Sequence, residues 1–267
     1  MNSFQYIFLS FIQAATEFLP VSSSGHLLFF KGLFGTQDVP IIFDITVHVG
    51  SLVAILVFYY KRITTTLTNS WLELVEKRKE KKDSKILLYL TISTIVTFIF
   101  YLIFKDRIEA EFQSPSVLPI TYLVTTVILF STYFAGKNQR SSVSQKGFLL
   151  PIIVGLFQGI AIFPGVSRSG STISPLLLMG IEREEAAYYS FFLVIPAILG
   201  AFVFKLSEIE NMDFFIANWK ILFLSFFISA LFSYLFLGLL TFILKKGKFW
   251  FFSFYTLTLG IVSFILF

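Results

Sequence analysis

Glu17 and Arg168 are hard to explain as structure alone, because each falls inside an apolar stretch. An ionisable group there is costly enough to mark a functional site by default. Gln13 and Glu17 are four residues apart, so on a helix they share one face. The run Pro20-Val21-Ser22-Ser23-Ser24-Gly25-His26 follows at once. Pro20 ends the incoming helix, since proline cannot donate and clashes with the preceding turn. The next helix then opens with free N–H groups that suit an anion, and three hydroxyls add donors. His26 lies three residues after Ser23, so a helical turn lets a hydroxyl and an imidazole face one cavity. That pairing serves nucleophilic or acid–base work. A second run, Pro164-Gly165-Val166-Ser167-Arg168-Ser169-Gly170-Ser171-Thr172, repeats the pattern with a guanidinium in it. A planar fork suits phosphate oxygens. Thr172 is expected at the opening of the following helix, as its cap or as a donor to the ligand.

Blander readings compete with these. Glu17 could merely accept from the amides freed at the break, yet a neutral serine would do so without the desolvation cost. The serines could only cap their helices. Arg168 could pair structurally with Glu17, and that role is compatible with phosphate binding in the filled state. Asp44 and His48 are a weaker pair, either facing neighbouring helices or supplying a second metal or proton-transfer group. Glu182, Glu184 and Glu185 sit at a helix start, where acids complement the dipole. The expected ligand is a phosphate or pyrophosphate with a very apolar remainder. Glu17, Ser23, His26 and Arg168 are the candidates for chemistry. Gln13, Ser22, Ser24, Gly25, Ser167, Ser169, Gly170 and Thr172 are the candidates for holding the substrate.

The elements that position them are membrane elements. The chain has 267 residues, 56% hydrophobic and 14% charged, with 36 Phe. A soluble domain carries about 25% charge. This composition excludes disorder, a coiled coil and a water-soluble globule. With no Cys, a disulfide framework, a thiolate metal site and a Cys nucleophile are excluded as well. The first residues lack a basic region and an A-x-A-like site, so no cleaved signal peptide is expected. Six segments are apolar and long enough to cross a bilayer as helices: 41–60, 85–104, 117–135, 186–204, 221–244 and 249–267. Stretches 1–34 and 147–180 are broken near their middles by the two Pro/Ser/Gly runs, and we read them as re-entrant helical hairpins. The expected fold is therefore all-α and polytopic, with six transmembrane helices plus two hairpins.

Val21–Gly25 aligns with Val166–Gly170 at an offset of 145, and Gln158 stands opposite Gln13. Each hairpin is followed by three spans, dividing one membrane domain, 1–267, into a first repeat, 1–135, and a second, 147–267. An odd number of spans per half inverts the second half, a plan that puts binding sites where broken helices meet. Loops 61–85, 136–146, 181–185 and 245–248 hold fifteen of the 21 Lys and Arg, and the opposite loops hold five. The basic side is cytoplasmic, so both termini and the first hairpin face outward. The basic loop 61–85 also contains Glu73, Glu76, Glu80 and Asp83, and reads as a solvated helix extension with mixed-sign pairs. No nucleic-acid partner is expected. Trp71, Trp219 and Trp250 read as interfacial anchors near span ends.

The run from Gln13 to His26 resembles the first signature of the bacterial undecaprenyl-pyrophosphate phosphatases of the bacitracin-resistance type. Pro164 to Gly170 resembles the second. The likeness extends along the chain, through Ile195-Pro196-Ala197-Ile198-Leu199-Gly200. It implies removal of the terminal phosphate of undecaprenyl pyrophosphate, which recycles the carrier lipid for cell-wall synthesis and confers bacitracin resistance. It implies an outward-facing site in the bacterial inner membrane and a divalent cation, Mg²⁺ or Ca²⁺, with Glu17 as a ligand. The family carries Glu or Gln at the first motif position. Gln13 stands there, so only Glu17 brings negative charge to this motif.

The preferred mechanism has Ser23 attacking the terminal phosphorus with His26 as its base. Attack by His26 or by water stays open. A transporter or lipid flippase is the rival from another class, since inverted repeats with broken helices are a transporter plan. Monomer and homodimer are both open.

Overall fold

The computed structural model describes residues 3–34, 41–77, 81–111, 114–136, 140–206 and 213–267. Arg78, Lys79, Glu80 and Lys137, which contribute to the loop charges, lie outside the described residues, as do Met1 and Asn2. The architecture is all-α. In chain order the helices are α1 (Ser3–Phe18), α2 (Ser23–Phe34), α3 (Ile41–Phe58), α4 (Tyr60–Val75), α5 (Lys82–Glu111) and α6 (Leu118–Ser131). They continue as α7 (Leu149–Ile160), α8 (Arg168–Leu178), α9 (Arg183–Leu206), α10 (Asp213–Lys245) and α11 (Phe252–Leu266). Single 3₁₀ turns, Pro115–Val117 and Phe249–Phe251, lead into α6 and α11.

Six segments are long and apolar enough to cross a membrane: Ile41–Phe58, Lys82–Glu111, Pro115–Phe134, Arg183–Val203, Phe214–Lys245 and Phe249–Leu266. They coincide with the six spans expected from hydropathy. Phe, Leu, Ile and Val side chains such as Ile103, Ile120, Val127, Val203 and Phe264 cover their outer surface, as a lipid-facing belt requires. The two broken stretches form the helix pairs α1–α2 and α7–α8. At 1.5 Å per residue, α1 is about 24 Å long and the other three roughly 16–18 Å, all shorter than a bilayer core. The pairs cross between the halves of the chain. α1 packs on α10 and α7 on α5, α3 packs on α10 and α9 on α5, and α6 packs on α11.

Two surface expectations need correction. The 61–85 segment is helical but not simply solvated. α4 packs on α5, and the buried Glu73 carboxylate accepts from Asp83 N (3.1 Å), Ser84 N (2.8 Å) and Ser84 Oγ (2.7 Å). Those amides open α5 and have no intrahelical acceptor, so Glu73 caps it. Burial alone would raise this carboxyl, but the bonds from Ser84 and Asp83 outweigh it and hold the group below its usual range. Trp71 also departs from its expected place. The chain breaks at Tyr59, and Trp71 lies exposed on α4, well past the end of the Ile41–Phe58 span. Trp219 and Trp250 do sit at span ends.

Candidate active site

The site forms at the two breaks. α1 ends at Phe18, and the chain turns with Val21 N donating to Leu19 O at 2.8 Å. Ser22 then takes a left-handed backbone, φ 67°. Its hydroxyl accepts from Gly25 N (3.2 Å) and its carbonyl from His26 N (3.2 Å), so Ser22 caps α2. The amides of Ser23 and Ser24 precede the first intrahelical bond. The second break repeats this cap. Ser167 Oγ accepts from Gly170 N (3.1 Å) and its carbonyl from Ser171 N (2.8 Å). The cap is thus Ser167, not Thr172. Thr172 is already one turn inside α8, buried, with its hydroxyl on Arg168 O (2.9 Å) and Ser190 Oγ (2.5 Å). Ser24 and Ser169 lie beside the capping hydroxyls, at 3.3 and 3.4 Å.

The breaks meet backbone to backbone. A Cβ on Gly25 would stand 2.7 Å from Gly165 Cα and 2.8 Å from the Tyr122 hydroxyl, closer than atoms pack. Thr125 on α6 clamps the second break, donating to Gly165 O (2.8 Å) and accepting from Ser167 N (3.0 Å). This contact brings the side chains singled out above together. Arg168 Nη2 donates to Glu17 Oε1. Glu17 Oε2 accepts from Ser23 Oγ (2.6 Å) and Gln13 Nε2 (2.6 Å). The Glu17 side chain is only 2% exposed, against 19% for Arg168, so the guanidinium marks the more open side of the cluster. A buried carboxylate of this kind is tolerable only because it is paired and hydrogen-bonded.

The expected Ser23–His26 pair does not form. His26 is buried with both ring nitrogens engaged elsewhere: Nδ1 on Ser22 O (2.7 Å), Nε2 on Tyr255 OH (2.8 Å). The spacing of three is helical, but the cap turns Ser23 toward α1 and leaves His26 facing α11. The imidazole beside the cluster is that of His48, whose Nε2 is 3.9 Å from Glu17 Oε2. His48 Nδ1 bonds to the Asp44 carbonyl one turn back (2.7 Å), but the two side chains part. His48 borders the site, whereas Asp44 Oδ2 is 3.9 Å from Lys31 Nζ. Gln158 donates to Thr97 (3.1 Å) and takes no part in the cluster. Sequence reasoning missed Tyr122, Thr125 and Tyr255. Nothing in sequence separates Tyr255 from the other aromatic residues of its span.

Beside the first break lies an apolar groove of about 620 Å³, with Leu19, Val21, His26, Phe30, Phe252 and Tyr255 among its walls. Gln13 Oε1 is buried without a hydrogen-bond partner next to Glu17. Among the described residues no three His, Cys, Asp or Glu side chains cluster as metal ligands. One carboxylate and one free carboxamide oxygen fit a hard cation that takes its remaining ligands from phosphate and water.

Helices of this length and hydropathy, closing on a buried serine–carboxylate–guanidinium cluster, define a polytopic membrane protein with a polar site suited to an anion. Comparison with known sequences gives its family. The chain belongs to the family described as Bacitracin resistance protein BacA, which it matches over residues 6–262. It is 37% identical over 268 residues to the undecaprenyl-diphosphatase of Carboxydothermus hydrogenoformans, covering 100% of this chain and 98% of that one. It is 39% identical to the undecaprenyl-diphosphatase of Thermosipho africanus, over 97% of this chain and 98% of that one. With the Methanosphaera stadtmanae undecaprenyl-diphosphatase it shares 35% identity over 97% and 96% of the two chains. The resemblance read from the two motifs is borne out.

Proposed function

We propose that this protein hydrolyses undecaprenyl pyrophosphate to undecaprenyl phosphate and phosphate. It thereby recycles the carrier lipid for cell-wall synthesis and confers bacitracin resistance. Its relatives supply the substrate by name, and the observation that carries the chemistry is the Ser23–Glu17–Arg168 cluster at the meeting of two helix starts. Ser23 Oγ attacks the terminal phosphorus while its proton passes to Glu17 Oε2, 2.6 Å away. The bond from phosphorus to the bridging oxygen breaks, and undecaprenyl phosphate leaves. Water then attacks the phosphoserine, phosphate departs, and the serine recovers its proton. Arg168 exchanges part of its contact with Glu17 for the nonbridging oxygens. The opening amides of α2 and α8 hold the remaining ones. Positioning and charge neutralisation supply most of the acceleration. Gln13 and Glu17 would hold Mg²⁺ or Ca²⁺, which supplies further neutralisation of the pyrophosphate. The apolar groove beside Val21 and His26 gives part of the isoprenoid chain a place next to the phosphate.

The two hairpins are re-entrant and the halves 1–135 and 147–267 form an inverted repeat in this reading. The matching caps, the short helices and the crossed pairings α1–α10 and α7–α5 support it. The loop charges support an inner-membrane protein with site and termini outward.

The test is phosphate release from undecaprenyl pyrophosphate by purified protein in detergent, where transport cannot contribute. Release that falls at least about tenfold in excess chelator, and returns with added Mg²⁺ or Ca²⁺, is expected of a cation bound largely through substrate oxygens. No release under any of these conditions overturns the reading. Full release in chelator removes the cation from it.

A further inference from the structure

His26 and Tyr255 stand outside the chemistry proposed above, yet their bonds converge on the break that aims Ser23. A carbonyl oxygen only accepts, so the 2.7 Å contact with Ser22 O puts a proton on His26 Nδ1. In the neutral ring the lone pair is then on Nε2, and Tyr255 OH donates to it at 2.8 Å. That nitrogen faces α11 and the apolar groove. No lone pair is left on the side of Ser23, whose hydroxyl is bonded to Glu17 instead. His26 is thus badly placed to take the Ser23 proton. It is well placed for something else. Ser22 is in the left-handed region at φ 67°, a backbone conformation that strains a residue other than glycine. Its carbonyl is gripped twice by His26, through the backbone N (3.2 Å) and through Nδ1.

We infer that His26, held in one tautomer by the Tyr255 hydroxyl, is a positioning residue that locks Ser22 in its left-handed turn and so aims Ser23 at Glu17. Tyr255 is a second positioning residue, acting through His26. This inference rests on the reading of Ser23 as the attacking group, and it assigns the imidazole no proton transfer.

Side-chain geometry offers a direct test. The amide nitrogen of asparagine is two bonds from Cβ, as Nδ1 is. That of glutamine is three bonds away, as Nε2 is. His26→Asn keeps a donor for Ser22 O and should retain turnover within about tenfold of the unaltered protein, the scale of one altered hydrogen bond. His26→Ala and His26→Gln lose the Ser22 contact and should fall by about 10²-fold, the scale of a misaimed reacting group. Tyr255→Phe should lower kcat roughly five- to tenfold with KM unchanged, since a single hydrogen bond behind the site is removed. Thermal unfolding in the same detergent establishes that each variant is folded. A folded His26→Asn as inactive as His26→Ala overturns the proposal and makes the imidazole the base. If His26→Asn does not fold, Tyr255→Phe decides, and an unchanged kcat overturns the proposal. Failure of the underlying reading looks different: the unaltered protein releases no phosphate, or Ser23→Ala retains full turnover.

Discussion

In the first break the left-handed residue is Ser22, which is also the helix cap, whereas in the second it is Gly165, two residues ahead of the cap Ser167. The caps are alike, hydroxyl to the third amide at 3.2 and 3.1 Å. Their surroundings are not. Glycine takes φ 93° without steric cost, and the second break is clamped from outside by Thr125. The first takes a comparable bend on a serine and is braced from within by His26. The chemistry divides the same way. The braced break carries Ser23, a short side chain that reaches only where its backbone aims it. The relaxed break carries Arg168, a long side chain that finds Glu17 across the gap. Backbone strain thus stands beside Ser23, the nucleophile of the proposed reaction.

The largest expected effect is at Arg168. Arg168→Lys keeps the charge but not the fork, and turnover should fall by about 10²–10³-fold, as when one preorganised donor to developing charge is lost. Near-normal turnover would sink the bidentate role. Arg168→Ala also strands the Glu17 carboxylate, buried at 2% side-chain exposure, and should cost about 3–5 kcal/mol of stability. Adding Glu17→Gln to Arg168→Ala should recover much of that stability in detergent unfolding while leaving the enzyme inactive. Equal instability of the single and double variants would show that the ion pair is not what holds the two breaks together.

Next in size are the paired glycines. Gly25 and Gly170 occupy equivalent places one turn into their helices, but only Gly25 touches the other break. A methyl there meets backbone at 2.7 Å, whereas one on Gly170 meets the Ser167 side chain at 3.2 Å and Leu129 at 3.3 Å. Gly25→Ala should destabilise by about 1–3 kcal/mol through overpacking and reduce activity with it, since backbone cannot step aside. Gly170→Ala should cost well under half as much. Equal melting losses in the two variants would mean that the close Gly25–Gly165 approach is not what joins the breaks.

Much of this was legible in sequence because it rests on local chemistry. Hydropathy located all six spans, since a lipid-facing helix must be apolar around much of its surface. Pro, Ser and Gly located the two breaks, since each residue acts on its own backbone. The Glu17–Arg168 contact is legible too, since two opposite charges in apolar stretches each need a partner. What sequence misplaced was direction. A spacing of three suggested that Ser23 and His26 share a cavity, but the left-handed Ser22 and its cap rotate α2 so that one faces α1 and the other α11. In sequence His48 pairs with Asp44, four residues away, and so reads as a weaker candidate. Its actual neighbour is Glu17, brought in by packing of α1 against α3. Tyr255 carried no signal at all, because its importance is one hydroxyl meeting one imidazole 229 residues away in the chain.

The smallest effect is the most direct measure of the difference between the two breaks. Both Ser22 and Ser167 cap a helix, so replacing either by alanine should cost about 1 kcal/mol, and by glycine only a few tenths. At Ser167, φ is −74°, a conformation in which glycine has no advantage. The alanine-to-glycine difference there should therefore be the cap preference alone. At Ser22, φ is 67°, and glycine also relieves the left-handed backbone, worth roughly a further 1–2 kcal/mol. The alanine-to-glycine difference in unfolding free energy should thus be larger at position 22 than at 167 by about 1 kcal/mol or more. Four single variants unfolded in one detergent give both differences, and shared effects of losing the hydroxyl cancel. Equal differences at the two positions would mean that the first break is not strained, and the contrast between a braced and a relaxed break would fall. If the difference appears and Ser22→Gly is also slower than its stability explains, the looser turn has let Ser23 swing away from Glu17, which is what bracing by His26 prevents.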